Sequence, residues 1–391
     1  MLTQLRFKNW RSLRDVTIDN LTPLTVFIGA NSSGKTNIID GLRFLQDAVE
    51  FEPLRAMQSR GGTERIQNLK ARPTDPIDIA FSFESLNIVQ DTGEYSLGLG
   101  FDDSEFPFLN EYLESNGQPL LETKGKDWQS KAYLETPLVV TPSPVVWGEP
   151  TFLAQFGISE KYSLIYSVRE YILKRWQFLN ENFMPPTSLP FGSSGQLFVI
   201  DRTAQNLPIM LDFLSKTGPH LLELLIEDLH KLLENVESLK ILSDDRETRF
   251  YLEETHNPKR EAPTISAGTA RIVAMLTAYY ALDIGPRAKM PGLVVIEEPD
   301  TAMNPGLLQR FVDLLRRYVR EGNRQFILTT HNPSLLNYFQ PEEVRVVSRD
   351  ENGDTTVQPV PSHIRDIWLT DDAEYGLGEV WTTNVFGGLP K

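Results

Sequence analysis

Gly29-Ala30-Asn31-Ser32-Ser33-Gly34-Lys35-Thr36 has the Gly-x-x-x-x-Gly-Lys-Thr spacing of a phosphate-binding loop. The two glycines permit a close backbone approach that side chains would forbid. The loop N–H groups and the start of the next helix form a cradle for anions. Lys35 is then placed for the β- and γ-phosphates of ATP and the Thr36 hydroxyl for Mg²⁺, with Asn31, Ser32, Ser33 and Asn37 completing the nucleotide contacts.

Three further groups follow in order. Glu297-Glu298 ends the apolar run Leu293–Ile296, which puts two carboxylates at the C-terminal end of a central strand, where open α/β sheets hold their ligands. An isolated Glu-Glu is an ordinary solvated pair, but behind four buried apolar residues it is not. By position Glu297 takes the metal role, through water, and Glu298 the general-base role. His331 follows the strand Phe326–Leu328 and is placed to contact a γ-phosphate, although a lone histidine is often structural. Ser266-Ala267-Gly268-Thr269 opens a helix, so Ser266 or Thr269 serves as an N-cap. The sharper reading has Ser266 and Gly268 clamp a γ-phosphate bound by another subunit.

These groups need a sheet to hold them. Leu5 and Phe7, then Val16 and Ile18, alternate as half-buried strands do. Leu24–Ile28 is a buried strand entering the phosphate loop, and Ile38, Leu42, Leu45 and Val49 continue at helical spacing. Ile77 to Phe101 predicts an antiparallel layer with a turn near Asp91-Thr92-Gly93. Ile165, Val168, Ile172, Trp176 and Leu179 predict an amphipathic helix, and Leu221–Leu239 predicts a second. After residue 266 the expected elements are helices Thr269–Leu282 and Leu307–Val319 with strands Leu293–Ile296, Gln325–Thr330 and Glu343–Ser348. The expected division is an N-terminal lobe at 1–101, a partly helical insertion at 102–200, a helical segment with return strand at 201–265, and a C-terminal lobe at 266–391. The fold class is α/β, with a mixed central sheet, an antiparallel β layer and a mainly helical insertion.

Composition narrows the options. The 391 residues are 40% hydrophobic and 23% charged, with no cysteine. Disulfides, thiolate catalysis and cysteine-ligated metals are therefore excluded. No apolar run approaches the length of a bilayer span and no signal peptide opens the chain, so the expectation is a cytoplasmic protein without a membrane partner. A net charge of −15 opposes autonomous binding to nucleic acid unless a local basic face exists. Arg316, Arg317, Arg320 and Arg324 are the one basic run that could serve DNA; a solvated helix face is the plainer reading.

The ordered motifs resemble the ABC-type ATPase heads of the RecF, SMC and OLD (overcoming lysogenization defect) group. Phe7-Lys8-Asn9-Trp10-Arg11-Ser12-Leu13 resembles that group's opening strands, and Thr264-Ile265-Ser266-Ala267-Gly268-Thr269-Ala270-Arg271 its signature. Glu297-Glu298-Pro299-Asp300 to Asn304-Pro305 resembles its Walker B and D-loop. Tyr375-Gly376-Leu377-Gly378-Glu379-Val380-Trp381 with Phe386-Gly387-Gly388 looks like the tail of stand-alone RecF-like ATPases. Met303-Asn304-Pro305 departs from the usual Leu-His-Pro, and Ala267 stands where an acidic residue or glycine is common. Gln58 is the nearest Q-loop candidate. The resemblance implies a Mg²⁺-dependent ATPase that pairs head to head, as a homodimer or higher even oligomer, and gates a separately encoded effector such as a TOPRIM-like nuclease in anti-phage defence. The alternative it implies is a RecF-like repair ATPase acting directly on DNA. About 60 residues follow His331 and lack a separated Glu and Asp-x-Asp set, with Asp371, Asp372 and Glu374 in a short acidic tail, so the expectation is a head without its own nuclease.

Overall fold

Leu24-Thr25-Val26-Phe27-Ile28 carries bulky, mostly apolar side chains on both faces, and all five residues are buried. A strand of that kind belongs inside a sheet covered on both sides. In the computed structural model it does. Residues 1–86, 91–101, 107–124, 129–133, 137–138, 150–156, 163–181, 189–190, 199–255, 257–261, 265–285, 288–364 and 376–388 are described. Asp371, Asp372, Glu374, Thr264, Tyr375 and most of the proline-rich stretch near Trp147 lie outside them.

The chain opens with β1 (Leu2–Trp10), β2 (Leu13–Ile18), β3 (Leu24–Ile28), α1 (Lys35–Glu50), α2 (Pro53–Gln58) and α3 (Thr63–Ile66). A meander follows: β4 (Ile77–Glu84), β5 (Thr92–Phe101), β6 (Pro107–Ser115), β7 (Gln118–Lys124), β8 (Gln129–Tyr133) and β9 (Pro137–Leu138). Next come α4 (Phe152–Phe156), α5 (Ser163–Arg175), β10 (Trp176–Leu179), β11 (Leu189–Pro190), α6 (Leu207–Thr217) and α7 (Pro219–Leu232). Then β12 (Val236–Ser243), β13 (Glu247–Glu254) and β14 (Asn257–Glu261) lead to α8 (Ala267–Ala281) and β15 (Gly292–Glu297). The chain continues through α9 (Pro305–Glu321), β16 (Arg324–Thr330), α10 (Pro333–Leu336), β17 (Val344–Arg349), β18 (Thr355–Pro359) and α11 (Leu377–Thr382).

The central sheet has the order β10-β15-β16-β3-β17-β18, parallel except for β18. Its strands divide their side chains between two cores. Phe27, Leu293, Val295, Ile327 and Val347 pack with α1 and the antiparallel sheet β2-β1-β4-β5-β6-β7-β8-β9. Val26, Ile28, Val294, Ile296, Phe326 and Leu328 pack with α6, α7, α8 and α9. A third, four-stranded sheet of β11, β12, β13 and β14 flanks this second core.

The α/β class with a mixed sheet and an antiparallel layer is as the sequence implies. Three local expectations change. The stripe through Ile165 and Leu179 does not stay helical: α5 ends at Arg175, and Trp176–Leu179 becomes an edge strand parallel to β15. Four consecutive buried residues there satisfy a strand as well as a stripe. The helix expected through Leu239 stops at Leu232, because Leu239 lies in β12 opposite Leu252. Among the described residues the stretch 102–200 is also less helical than expected, since β6 to β9 extend the antiparallel sheet. Its alternation was masked by an inward carboxylate: Glu111 is buried between Leu109 and Leu113. That carboxylate accepts from the Tyr95 hydroxyl at 2.8 Å and from the N–H groups of Phe152 and Leu153 at 2.6 and 3.0 Å. Burial pushes its pKa up to about 7, against those hydrogen bonds.

Helix α1 is pressed between the two sheets. Trp10 Nε1 donates to the Asn37 carbonyl at 2.9 Å, and its ring meets Phe44 with centroids 5.0 Å apart. A Cβ on Gly41 would lie 2.4 Å from a Phe7 ring carbon, so this helix face needs a glycine. Gly41→Val should therefore destabilise the fold by about 1–3 kcal/mol. An unchanged urea midpoint would show that α1 does not bear on β1.

Candidate nucleotide site

The phosphate loop reaches its shape through residues more than 300 positions away. Arg349 Nε donates to the Ser32 carbonyl at 2.9 Å, and Thr355 Oγ1 to the Ser33 carbonyl at 2.9 Å. The Ala30 N–H donates to the Gly388 carbonyl at 2.7 Å. A Cβ on Gly29 would sit 2.1 Å from the Val347 carbonyl oxygen, and one on Gly34, at φ 119°, 2.2 Å from Thr355 Oγ1. Gly29 is thus demanded by close packing on the Val347 backbone, and Gly34 by its positive φ and close packing on the Thr355 side chain.

The loop has the fittings for a polyphosphate. Among the described residues the N–H groups of Asn31, Ser32, Gly34, Lys35 and Thr36 have no hydrogen-bond acceptor, and the buried Ser33 Oγ has no partner. Gly34 and Lys35 are buried, and buried N–H groups normally find an acceptor. Lys35 Nζ donates to the carbonyls of Gly29 at 2.6 Å and Ala30 at 3.0 Å. Burial holds its pKa below the ordinary lysine value, although Glu298 and Glu181 act to raise it. An ammonium drawn out of water with only neutral carbonyls in contact is a strong site for phosphate oxygens. A cavity of about 460 Å³ opens over the loop, lined by Asn31 to Asn37 with Glu181, Glu298, His331 and Arg349.

Glu298 comes from the end of β15 in a left-handed conformation, φ 46° and ψ 58°. That is unusual for a glutamate and aims its side chain into the cavity. His331 Nδ1 lies 2.8 Å from its carboxylate. A carboxylate can only accept, so Nδ1 carries the proton and Nε2 remains for another partner. The Glu298 N–H is held by the Thr329 carbonyl at 2.9 Å, and Thr330 Oγ1 ties β16 to Asp300 at 2.8 Å. The two strand ends are locked together.

Glu297 goes elsewhere. It is not among the residues lining the cavity; it points to the α1 face, where Arg43 Nη2 meets its Oε1 at 2.7 Å. Burial lowers the Arg43 pKa, with Glu297 acting against that. The second oxygen of Glu297 has no protein partner among the described residues.

Ser266 caps α8, its Oγ accepting from the Thr269 N–H at 3.1 Å, and it is exposed. Ser266 and Gly268 do not line the cavity of their own chain. Arg271, one turn along α8, is buried and donates to the Glu297 carbonyl at 2.9 Å and the Asn180 carbonyl at 3.2 Å. The signature helix is therefore tied to the ends of both β15 and β10. Asn304, in place of the usual histidine, caps α9 by accepting from the Gly306 N–H at 3.0 Å.

Two cavity residues, Glu181 and Arg349, escape the motif reading. Both stand at the C-terminal end of a parallel strand, β10 and β17, and that rule would have found them had β10 been recognised. Gln58 does not line the cavity; it ends α2, and the strand end beside β15 is supplied by Asn180 and Glu181 instead. The arginine run on α9 and at the start of β16 is largely neutralised. Arg316 bonds both oxygens of Glu343 at 2.7 and 2.8 Å, Arg317 pairs with Asp228, and Arg324 with Asp283. Only Arg320 of the four has no ion pair among the described residues. No described helix is long and apolar enough to cross a membrane.

A family model described as "AAA domain, putative AbiEii toxin, Type IV TA system" matches residues 24–131 and 184–337. An OLD nuclease from Thermus scotoductus is 22% identical over 377 residues, which is 92% of this chain and 64% of the relative. The chain thus spans less than two thirds of that relative. The SMC head bound to the C-winged helix domain of ScpA has a TM-score of 0.58 at 14% identity, covering 93% of this chain and 99% of that one. An SMC head with an extended coiled coil bound to the C-terminal domain of ScpA, derived from Pyrococcus furiosus, gives 0.53 at 13% identity, with 94% and 98% covered. At such identities the likeness establishes the fold.

Lys35→Ala should weaken ATP binding roughly 10- to 100-fold, the loss of one charge-assisted phosphate contact. Calorimetric titration with an unchanged Kd would remove the cavity from consideration as the nucleotide site.

Proposed function

The chain belongs to this AAA-domain family and is an ABC-type ATPase of the RecF, SMC and OLD group, and on that footing we propose that it is an ATP-driven switch whose heads pair around nucleotide. The observation that carries the reading is convergence. Lys35, Thr36, Glu298 and His331 come from three separate chain regions and face one cavity over unpaired loop N–H groups.

In this reading the loop N–H groups and Lys35 hold the β- and γ-phosphates. Thr36 Oγ1 and the free oxygen of Glu297, the latter through water, would hold Mg²⁺, which when bound neutralises phosphate charge. Glu298 accepts the proton of the attacking water. His331 Nδ1 lies 2.8 Å from both oxygens of that carboxylate and holds it at the cavity wall, and the left-handed backbone costs no rearrangement at the moment of reaction. Loss of the γ-phosphate then changes what His331 faces across the cavity, which is how the strand end registers hydrolysis.

The exposed cap at Ser266 lies outside its own chain's cavity, and its helix N-terminus fits a second copy's γ-phosphate better than its own. Two identical chains facing each other would complete both sites, a closed two-fold arrangement. Arg271 joins the same helix to Glu297 and Asn180, giving the partner's phosphate a direct mechanical line to β15. We assign the output to a separately encoded effector, a nuclease by kinship with the OLD group, within anti-phage defence. Pairing of three of the four arginines of the run, Arg316 and Arg317 on α9 and Arg324 on β16, argues against it as a direct DNA contact.

Glu298→Gln should retain ATP affinity and slow turnover by about two to four orders of magnitude, since it removes a base but preserves shape. A normal rate of phosphate release would move the base elsewhere. For sharing in trans, inactive Lys35→Ala mixed with inactive Ser266→Arg should recover activity at one composite site of the hybrid dimer. Absence of recovery, with subunit exchange demonstrated by native mass spectrometry, would place the signature in cis.

A further inference from the structure

The C-terminal segment 376–388 carries a glycine-rich, tryptophan-bearing motif that the ATPase reading does not use. We infer that it is a positioning strap joining the histidine loop to the phosphate loop, and that it sets where Lys35 stands; this rests on the nucleotide-site reading above.

One end sits on the elements just past His331. The Gly378 N–H donates to Asn337 Oδ1 at 2.7 Å, and a Cβ on Gly378 would lie 1.9 Å from the Pro333 carbonyl oxygen. Helix α11 is therefore in backbone contact with α10, two residues beyond the histidine. Leu377 and Trp381 bury their side chains in the same core as α8 and α9. The segment then turns back. Trp381 Nε1 donates to the Gly387 carbonyl at 3.0 Å, with Gly387 and Gly388 at φ 81° and 87°, values that favour glycine.

The other end fixes a single peptide plane of the phosphate loop. The Ala30 N–H donates to the Gly388 carbonyl at 2.7 Å, while the carbonyl of the same peptide unit, that of Gly29, accepts from Lys35 Nζ at 2.6 Å. Rotating this plane would move both bonds together. Hydrogen bonds through one peptide unit also polarise each other, so the strap strengthens the carbonyl that holds the lysine. A Cβ on Gly388 would approach Trp381 Nε1 to 3.0 Å and Val346 Cγ1 to 2.9 Å, which explains the second glycine. The physical sequence runs from Pro333 through Gly378, Trp381 and Gly388 to Ala30 and Lys35. A change at the histidine loop can reach the ammonium without crossing the cavity.

The test uses the full chain with two changes at opposite ends of the strap. Trp381→Phe keeps an aromatic ring but removes the donor to Gly387; Gly378→Ala forces α11 off Pro333. Each should raise the Kd for ATP roughly 2- to 10-fold, the factor one neutral hydrogen bond is worth. Val385→Ser, an exposed position in the same segment, should change nothing. Hydrogen exchange at the Ala30 amide should accelerate in Trp381→Phe while amides of β3 and β16 keep their protection, a response that general destabilisation would not give. Unchanged ATP affinity in both folded variants, or exchange that rises uniformly, overturns the strap. Failure of the unaltered chain to bind ATP instead overturns the nucleotide reading, and the Ala30 exchange result still decides whether the strap holds the loop.

Discussion

The strand Leu24–Ile28 is buried on both faces and hydrogen-bonded along both edges, to β16 on one side and β17 on the other. Every group of the site takes its position from that arrangement. The phosphate loop leaves its C-terminal end, and the neighbouring parallel strands end on the same rim, so His331 from β16 and Arg349 from β17 arrive there without further steering. Glu298 reaches the rim through β15, one strand further out. A parallel sheet thus gathers residues distant in sequence along a single edge, and the rest of the protein has only to keep the sheet covered.

Electrostatics follow from the same geometry. The rim gathers two carboxylates, Glu298 and Glu181, opposite Lys35 and Arg349. The fixed ion pair Arg43–Glu297 lies just below, on the α1 side of the sheet. Keeping that pair beneath the cavity matters because an uncompensated carboxylate beside Glu298 would repel the phosphates that Lys35 attracts. Arg43 also lies 5.4 Å from the Phe178 ring, so β10 helps hold the guanidinium. The strand read as a helix is therefore part of the electrostatic support of the site.

What the sequence made legible is what local physics determines. The glycine spacing, the apolar strands before Glu297 and His331, and the helical stripes of α1, α8 and α9 depend on neighbours a few residues away, and each lies where its pattern indicated. What escaped depends on partners far along the chain. Trp176–Leu179 could be helix or strand until β15 was placed beside it. Glu111 hid a buried strand because its partners are Tyr95 and the start of α4. The direction of Glu297 turns on Arg43, 254 residues earlier. The arginines of α9 and the start of β16 read as a basic face because Asp228, Asp283 and Glu343 come from other elements.

Asp228 shows how the far side of the sheet is made rigid enough to transmit what happens at the rim. Its buried carboxylate accepts from the Tyr280 and Tyr318 hydroxyls at 2.6 Å each and from Arg317, joining α7, α8 and α9 in one hydrogen-bonded knot. Those hydrogen bonds hold its pKa below the usual aspartate value in spite of burial, so the knot stays charged and closed through neutral pH. Tyr279 stacks on Tyr318 with centroids 3.5 Å apart, adding a second tie between α8 and α9. Close-packed helices joined in this way move as a body. A displacement of α8 at Ser266 would therefore carry α7 and α9 with it, and Arg271 would pass the same displacement to the ends of β15 and β10. Signal and support would share one helix, so a cap facing a second subunit, as proposed, would need no separate lever to reach the carboxylates.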